Sequence, residues 1–381
     1  MARVERKLVF LLGSGVSRAA KMPCVADITE SIVNGVLDGC AYKTLGDRRY
    51  SNSSAIVDLD PDRMVSVLAF IKELQRRCNG YFSRGISYED IAYIAWQIRD
   101  QQSGNYENPA LVPLVRSLRQ KFPRNKLEIG NLAREACAYI HCVVRDMLSK
   151  APSGLGHVPC LLEASRAIEF DQVDIFTLNH DTLIEQELRA QAVDFSDGFE
   201  HRTKTCDYWV TQSFAEARNK VRLAKLHGSV DWYIYRPDLT NPMRQMIGKP
   251  KVWESQDLSG KPQWPVDDES VMLIGSFNKI FEYTAGIFSD LFCAFRSSLR
   301  STKHLVVGGY GFRDKGVNHS IIEWLRASSD RRLIVVHKNY ETYKQESRKA
   351  IQDLFSTNGS QIVGTGTWFE ETSLAALRSR F

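Results

Sequence analysis

No two of the eight cysteines (Cys24, Cys40, Cys78, Cys137, Cys142, Cys160, Cys206 and Cys293) form a Cys-x-x-Cys pair, which speaks against a zinc ribbon. Scattered thiols in a chain of 381 residues read as reduced and mostly buried, the usage of a cytosolic protein. Long apolar runs are missing as well. The nearest, Leu8 to Leu12, is too short for a signal-peptide core or a membrane span, breaks at Gly13-Ser14-Gly15 and is flanked by Glu5 and Arg18. It reads as a buried first strand. Charge of one sign is scarce: 50 Lys and Arg against 45 Asp and Glu leave +5, too little to indicate a nucleic-acid-binding protein, though enough to help hold an anionic ligand. There is no internal repeat and no low-complexity tract.

What is present is an ordinary globular balance with two textures. Residues 7 to 12 read as a strand whose Gly-Ser-Gly exit opens into a helical pattern. From 42 to 60 the chain is polar and turn-rich. From 62 to 168 the apolar spacing is helical, as in Met64, Val67, Leu68, Ile71 and Leu74, with no convincing strand. Strand patterns return at Val173 to Thr177, Arg222 to Leu226, Val271 to Gly275, His304 to Val307 and Leu333 to His337, several followed by helical runs. The expectation is an α/β protein: a Rossmann-like, mainly parallel sheet with helices on both faces, formed by 1–41 and 169–381, plus a largely helical insertion or subdomain over 42–168. The segment from Arg236 to Trp264, with Pro237, Pro242, Pro250 and Pro262 and with Pro265 just beyond, reads as a long loop, either a functional lid or plain disorder.

Four strand exits carry the polar residues that chemistry needs, each with a bland reading beside the functional one. Gly13-Ser14-Gly15-Val16-Ser17 admits a close backbone approach to a phosphate in front of a helix N-terminus, or a tight turn; Arg18 departs from a full Gly-x-Gly-x-x-Gly. Thr177-Leu178-Asn179-His180-Asp181 ends a strand, where ligands of open α/β sheets sit, yet Asn179 or Asp181 could cap the next helix. His180 reads equally as a surface or capping residue. Lys225-Leu226-His227-Gly228-Ser229 places an imidazole at a strand end, with Gly228 allowing the turn. Gly308-Gly309-Tyr310-Gly311-Phe312-Arg313-Asp314 is either punctuation or a second backbone approach to the ligand. Trp232, Tyr283 and Phe277 could wall an apolar pocket, or belong to the core. The basic run Arg116, Arg119, Lys121, Arg124 and Lys126 reads as a solvated helix face before it reads as a nucleic-acid surface.

Taken together, the four exits resemble the sirtuin superfamily, and more closely its divergent prokaryotic sirtuin-like NADases. Gly13, Gly15, Ser17 and Pro23 match the first motif; Thr177, Asn179 and Asp181 the Thr-x-Asn-x-Asp motif; His227-Gly228 the His-Gly motif; and Gly308 to Asp314 the later glycine turn near the adenosine ribose. The resemblance covers about 1–30 and 170–340. It implies NAD as substrate, with Gly13, Ser14, Gly15 and Ser17 at the phosphates and Thr177, Gly308, Tyr310, Asp314 and Asn339 as further binding residues. Asn179 would bind the ribose hydroxyls and orient the attacking water, His227 would act on a ribose hydroxyl, and Asp181 would orient its neighbours. Cys24-Val25-Ala26 stands where protein-deacetylating members carry Asp-Phe-Arg, and their four-cysteine zinc module is absent. Both departures put acetyl-lysine chemistry in doubt and favour hydrolysis or transfer on NAD itself, without zinc; NAD hydrolysis is the first reading, and a protein deacylase or ADP-ribosyltransferase the alternative. A sensor that binds NAD or ADP-ribose without turnover is the reading from another class. The resemblance further implies a cytoplasmic anti-phage effector, a homo-oligomer, and a HerA-type hexameric ATPase as a candidate partner.

Overall fold

The computed structural model describes residues 6–35, 61–82, 85–104, 107–122, 128–216, 218–236, 244–266, 269–275 and 279–381. The chain divides into two compact units, one made of Met1–Met22, Ser149–Leu273 and Lys279–Phe381, the other of Pro23–Leu148 and Ile274–Asn278.

The second unit is helical, and its described residues form no strand. It comprises α1 (Val25–Asn34), α2 (Pro61–Cys78), α3 (Tyr88–Ser103), α4 (Val112–Lys121) and α5 (Ile129–Leu148). On α5, Ile129, Leu132, Ala133, Ala136, Tyr139, Ile140, Val143 and Val144 are buried, the spacing of an amphipathic helix. Ser87 and Asp90 form a capping box at the start of α3, and Gly104 ends it in the left-handed region at φ 75°. Buried Glu73 on α2 accepts from Arg76 at 2.7 Å, Arg77 at 2.5 Å and Lys121 of α4 at 2.6 Å. The Arg76 hydrogen bond, against the opposing effect of burial and with help from Lys121 and Arg77, holds the Glu73 carboxyl well below the usual range. Arg119 donates to Gln102. Arg124 and Lys126 lie outside the described residues.

The first unit is built on a seven-stranded sheet whose pairings are all parallel. The unit's strands are β1 (Lys7–Leu12), β2 (Gln172–Thr177), β3 (Phe195–Ser196), β4 (Phe199–His201), β5 (Cys206–Trp209), β6 (Val221–Lys225), β7 (Tyr233–Tyr235), β8 (Met246–Pro250), β9 (Ser255–Gln256), β10 (Pro262–Gln263), β11 (His304–Gly308), β12 (Arg332–Val336) and β13 (Ile362–Gly364). The sheet order is β13-β12-β11-β1-β2-β6-β3. Its helices are α6 (Pro159–Arg166), α7 (Leu183–Ala190), α8 (Thr211–Ala215), α9 (Lys279–Glu282), α10 (Gly286–Ser301), α11 (Lys315–Arg326), α12 (Tyr340–Glu346), α13 (Lys349–Thr357) and α14 (Leu374–Arg378).

Strand side chains alternate between two cores. Val9, Leu11, Phe176, Leu305, Val307, Leu333 and Val335 face the side covered by α10, α11 and α13. Leu8, Phe10, Leu12, Val173, Ile175, Leu223, Val306 and Ile334 face the side covered by α6, α7 and α14. Both faces are apolar because parallel crossovers put a helix on each, which is the expected architecture. Three local expectations need correcting. Val271 to Gly275 is no strand of the sheet; it makes one bridge, Met272 to Gly228. The proline-bearing segment after Arg236 is not a structureless loop: β8 joins the antiparallel sheet β4-β5-β8-β7, and β9 pairs with β10. The glycine exit of β1 leads first into a single 3-10 turn, Ser14–Arg18, with α1 beginning only at Val25. Pro237 and Pro242 lie outside the described residues. Among the described residues, no helix is long and apolar enough to cross a membrane.

Charged side chains also enter the sheet interior, where Lys7 of β1 lies 3.5 Å from Asp174 of β2. Asp174, 1% exposed in β2, accepts from Arg222 at 2.8 and 2.7 Å and from Ser298 at 2.5 Å. Arg222 is its neighbour in register on β6, so the pair locks two strands whose exits form the site. Asp174→Ala leaves a mostly buried guanidinium unpaired. We expect a loss of about 3 kcal/mol or more in urea denaturation, and a loss under 1 kcal/mol would show that the pair does not hold the strands.

Candidate active site

The strands β11, β1, β2 and β6 are contiguous in the sheet, and their carboxyl ends carry the four polar loops. From β1 the chain runs through β2 to β6 on one side and through β11 and β12 to β13 on the other, so the site lies where an open α/β sheet changes direction.

The first contact is between glycines. Gly13 N–H donates to Gly308 O and Gly15 N–H to Gly309 O, both at 2.9 Å. A Cβ on Gly13 would lie 2.6 Å from Gly309 O, one on Gly15 2.7 Å from Gly309 Cα, and one on Gly309 2.3 Å from Val16 N. Gly309 also has φ +62°. Packing of backbone on backbone therefore accounts for these glycines. Their N–H groups are committed to carbonyls, and Ser14, exposed, forms the tip of the loop.

Next to this seam, Asn179 Nδ2 donates to Gly13 O at 3.1 Å and to Ser17 Oγ at 3.0 Å, and Ser17 donates to Asp181 Oδ2 at 3.0 Å. Gly13 O can only accept, so the amide orientation of Asn179 is fixed. Among the described residues its Oδ1 accepts no hydrogen bond. Thr177 Oγ1 accepts from Asn179 N at 3.1 Å and sets the turn. Asp181 Oδ1 accepts from Leu183 N at 3.1 Å, so this carboxylate caps α7 with one oxygen and holds Ser17 with the other.

The β6 exit brings in His227. Gly228 takes φ +78°, and a Cβ there would meet Val271 O at 2.0 Å. Leu273 N donates to His227 O at 2.8 Å, fixing the loop from behind. His227 Nε2 lies 2.7 Å from Tyr283 Oη and 3.0 Å from Asp314 Oδ2, and Tyr283 donates to Asp314 Oδ2 at 2.7 Å. Tyr283 stacks on Phe292 at 4.3 Å. Asp314 Oδ1 caps α11 through Val317 N at 2.9 Å. Burial alone would raise the Asp314 carboxyl. The His227 hydrogen bond, the charge that His227 carries when protonated, the charge of Lys279 and the Val317 N–H outweigh it and hold the group well below the usual range.

His180, expected at the surface or as a cap, is buried with its ring 6.2 Å from that of His227. Burial, reinforced by His227, Lys279 and Lys225, pushes its basicity far down, so its ring is neutral. Its carbonyl accepts from Val230 N at 3.0 Å and Ser229 Oγ at 3.3 Å. Lys225 donates to Asp181 O and pairs with buried Glu185 at 3.0 Å, bridging the β2 and β6 exits.

Of the residues singled out in sequence, Gly13, Gly15, Ser17, Thr177, Asn179, Asp181, His227, Gly308 and Asp314 come together. Tyr310 is turned inward, its hydroxyl 2.8 Å from Asn318 Oδ1 and accepting from Asp314 N at 3.1 Å. Asn339 is exposed at the start of α12, without a side-chain cap bond. Trp232 belongs to the core beside Phe199, and Phe277 lies outside the described residues. Lys225 stood in the third strand exit without a role of its own, and its partner Glu185 was not singled out; the signal for the pair was a lone lysine ending an apolar strand. Tyr283 was noticed only as a possible pocket wall. Among the described residues no group of three or more His, Cys, Asp or Glu side chains could hold a metal ion.

Residues 173–362 match the family model of the SIR2-like domain. The match runs from β2 to β13, so it takes in the Asn179, His227 and Gly308–Asp314 loops and leaves the Gly13–Ser17 loop outside. It supports a sirtuin-like family for this chain, and SIR2-like proteins use NAD. Comparison with curated proteins finds no match.

Gly309→Ala should lower stability by roughly 2 kcal/mol or more, from its left-handed backbone and the clash with Val16 N. Gly311→Ala, whose Cβ would meet only the Arg313 side chain at 3.9 Å or beyond, should change it by under about 0.5 kcal/mol. Equal effects in thermal denaturation would mean that the glycine seam is not what fixes these loops.

Proposed function

We propose that this chain is an NAD glycohydrolase. The observation that carries the reading is the pair of polar networks at neighbouring strand exits, Asn179–Ser17–Asp181 and His227–Asp314–Tyr283, all of whose members but Ser17 fall in the residues that match the SIR2-like domain, which fits NAD-related catalysis.

Cleavage of the nicotinamide–ribose bond builds positive charge on the ribose, and the bond's electron pair leaves with the nicotinamide nitrogen. Water then bonds to the same carbon and loses a proton, so NAD and water give nicotinamide, ADP-ribose and a proton. Asn179 suits this chemistry because its Nδ2 is anchored and its Oδ1 remains as an acceptor for a ribose hydroxyl or the attacking water. His227 supplies a nitrogen base whose neighbours include a carboxylate held ionised, which favours the charge that develops when a hydroxyl proton is taken up. The Gly13–Ser17 loop, with Ser14 at its tip, is the segment read as facing the diphosphate. As the resemblance has it, the setting is an anti-phage effector that depletes NAD, assembled as a homo-oligomer or with a HerA-type ATPase.

The test is to incubate the purified chain with NAD, with and without such an ATPase, and to quantify nicotinamide and ADP-ribose by chromatography. Both products should appear, and Asn179→Ala or His227→Ala should cut the rate roughly 100-fold, with a stability loss of order 1–3 kcal/mol in thermal denaturation that leaves the chain folded. Nicotinamide released only with an acylated peptide would make the chain a deacylase, and modification of an added protein would make it a transferase. Tight NAD binding without turnover in either condition would make it a sensor.

A further inference from the structure

We infer that Tyr283 and Asp314 are positioning residues that fix His227 in its Nε2-protonated tautomer, so that the ring's basic nitrogen in the reaction is Nδ1. The inference rests on the reading of His227 as a group that acts on NAD.

His227 Nε2, Tyr283 Oη and Asp314 Oδ2 lie 2.7, 2.7 and 3.0 Å from one another. Tyr283 owns one hydroxyl proton, and the geometry sends it to Asp314 Oδ2. An Nε2 lone pair would then face the carboxylate oxygen at 3.0 Å and the tyrosine oxygen at 2.7 Å, three acceptors against one another in a buried site. With a proton on Nε2, the ring donates into both oxygens and every short contact becomes a hydrogen bond. The alternative, a proton on Asp314, runs against its surroundings. Its other oxygen accepts the Val317 N–H at 2.9 Å, and Lys279 adds a positive charge that favours the carboxylate. The Tyr283 ring is itself set by Phe292, parallel within 3°. His180, beside His227, is neutral and adds no competing charge.

In the reaction Nδ1 takes the proton of a ribose hydroxyl, breaking that O–H bond and forming N–H, and returns it to the same oxygen once water has bonded to the ribose carbon and released its own proton. The imidazolium keeps its second proton on Nε2, against ionised Asp314. The carboxylate thus stabilises the charged ring without receiving a proton.

Nitrogen-15 NMR of histidine-labelled full-length chain, with His227→Gln used to assign the ring, reads the tautomer without any turnover. The neutral ring should show a pyrrole-type Nε2 and a pyridine-type Nδ1. In Asp314→Asn the single side-chain oxygen stays with Val317 N–H, the amide N–H₂ faces His227, and the tautomer should invert. Tyr283→Phe should keep it. In NAD hydrolysis Asp314→Asn should lower kcat roughly 100-fold or more with KM within about threefold, and Tyr283→Phe should lower kcat roughly tenfold. A pyridine-type Nε2 in the wild type, or an Asp314→Asn ring that keeps both tautomer and kcat, would overturn the inference. Absence of NAD turnover with the expected tautomers would instead defeat the proposed function and leave the assignment of the proton standing.

Discussion

Everything at this site depends on two stretches of backbone approaching each other without side chains between them. The exits of β1 and β11 touch through Gly13, Gly15 and Gly309, and a methyl group on any of the three would sit 2.3–2.7 Å from backbone atoms of the facing loop. The two hydrogen bonds from Gly13 and Gly15 to Gly308 and Gly309 then fix the separation. Because Gly13 O is also the acceptor that orients Asn179, the seam sets the position of the side chain as well as the loop.

From that seam the constraint passes round a closed ring of four loops. Asn179 ties the β2 exit to the β1 exit, Lys225 and the His180 carbonyl tie β2 to β6, His227 and Asp314 tie β6 to β11, and the glycines return to β1. The side chains in these links, Asn179, Lys225, His227 and Asp314, are buried, so an unpaired group among them would cost its full desolvation, of order 1–3 kcal/mol. Side chains held in this way have little rotamer freedom left to lose when a ligand arrives, which is the physical content of preorganisation.

The sheet, the strand exits and the meeting of Asn179, Asp181 and His227 were legible in the sequence, because buried parallel strands write continuous apolar runs and glycine or polar residues punctuate their ends. What was not legible came from elsewhere. Strands β3 and β13 are too short to show a period, and β8 to β10 lie in a proline-bearing segment whose pairing is antiparallel and, for β8, reaches back to β5 far up the chain. Tyr283 is 56 residues from His227 in the chain, and nothing in its neighbourhood announces the hydroxyl contact. The glycines were visible, but the reason for them was not: a close approach to phosphate and a close approach to another loop require the same residue.

The structural and the chemical readings of these residues also turn out not to compete. Asp181 caps α7 with Oδ1 and holds Ser17 with Oδ2; Asp314 caps α11 with Oδ1 and meets His227 with Oδ2. A carboxylate has two oxygens, and at both strand exits one is spent on the helix and the other on the site. The helix N–H group fixes the direction in which the second oxygen points, so capping is how the orientation at the site is achieved. The choice posed by the sequence for Asp181, cap or site residue, was therefore a false one, and Asp314 repeats the arrangement.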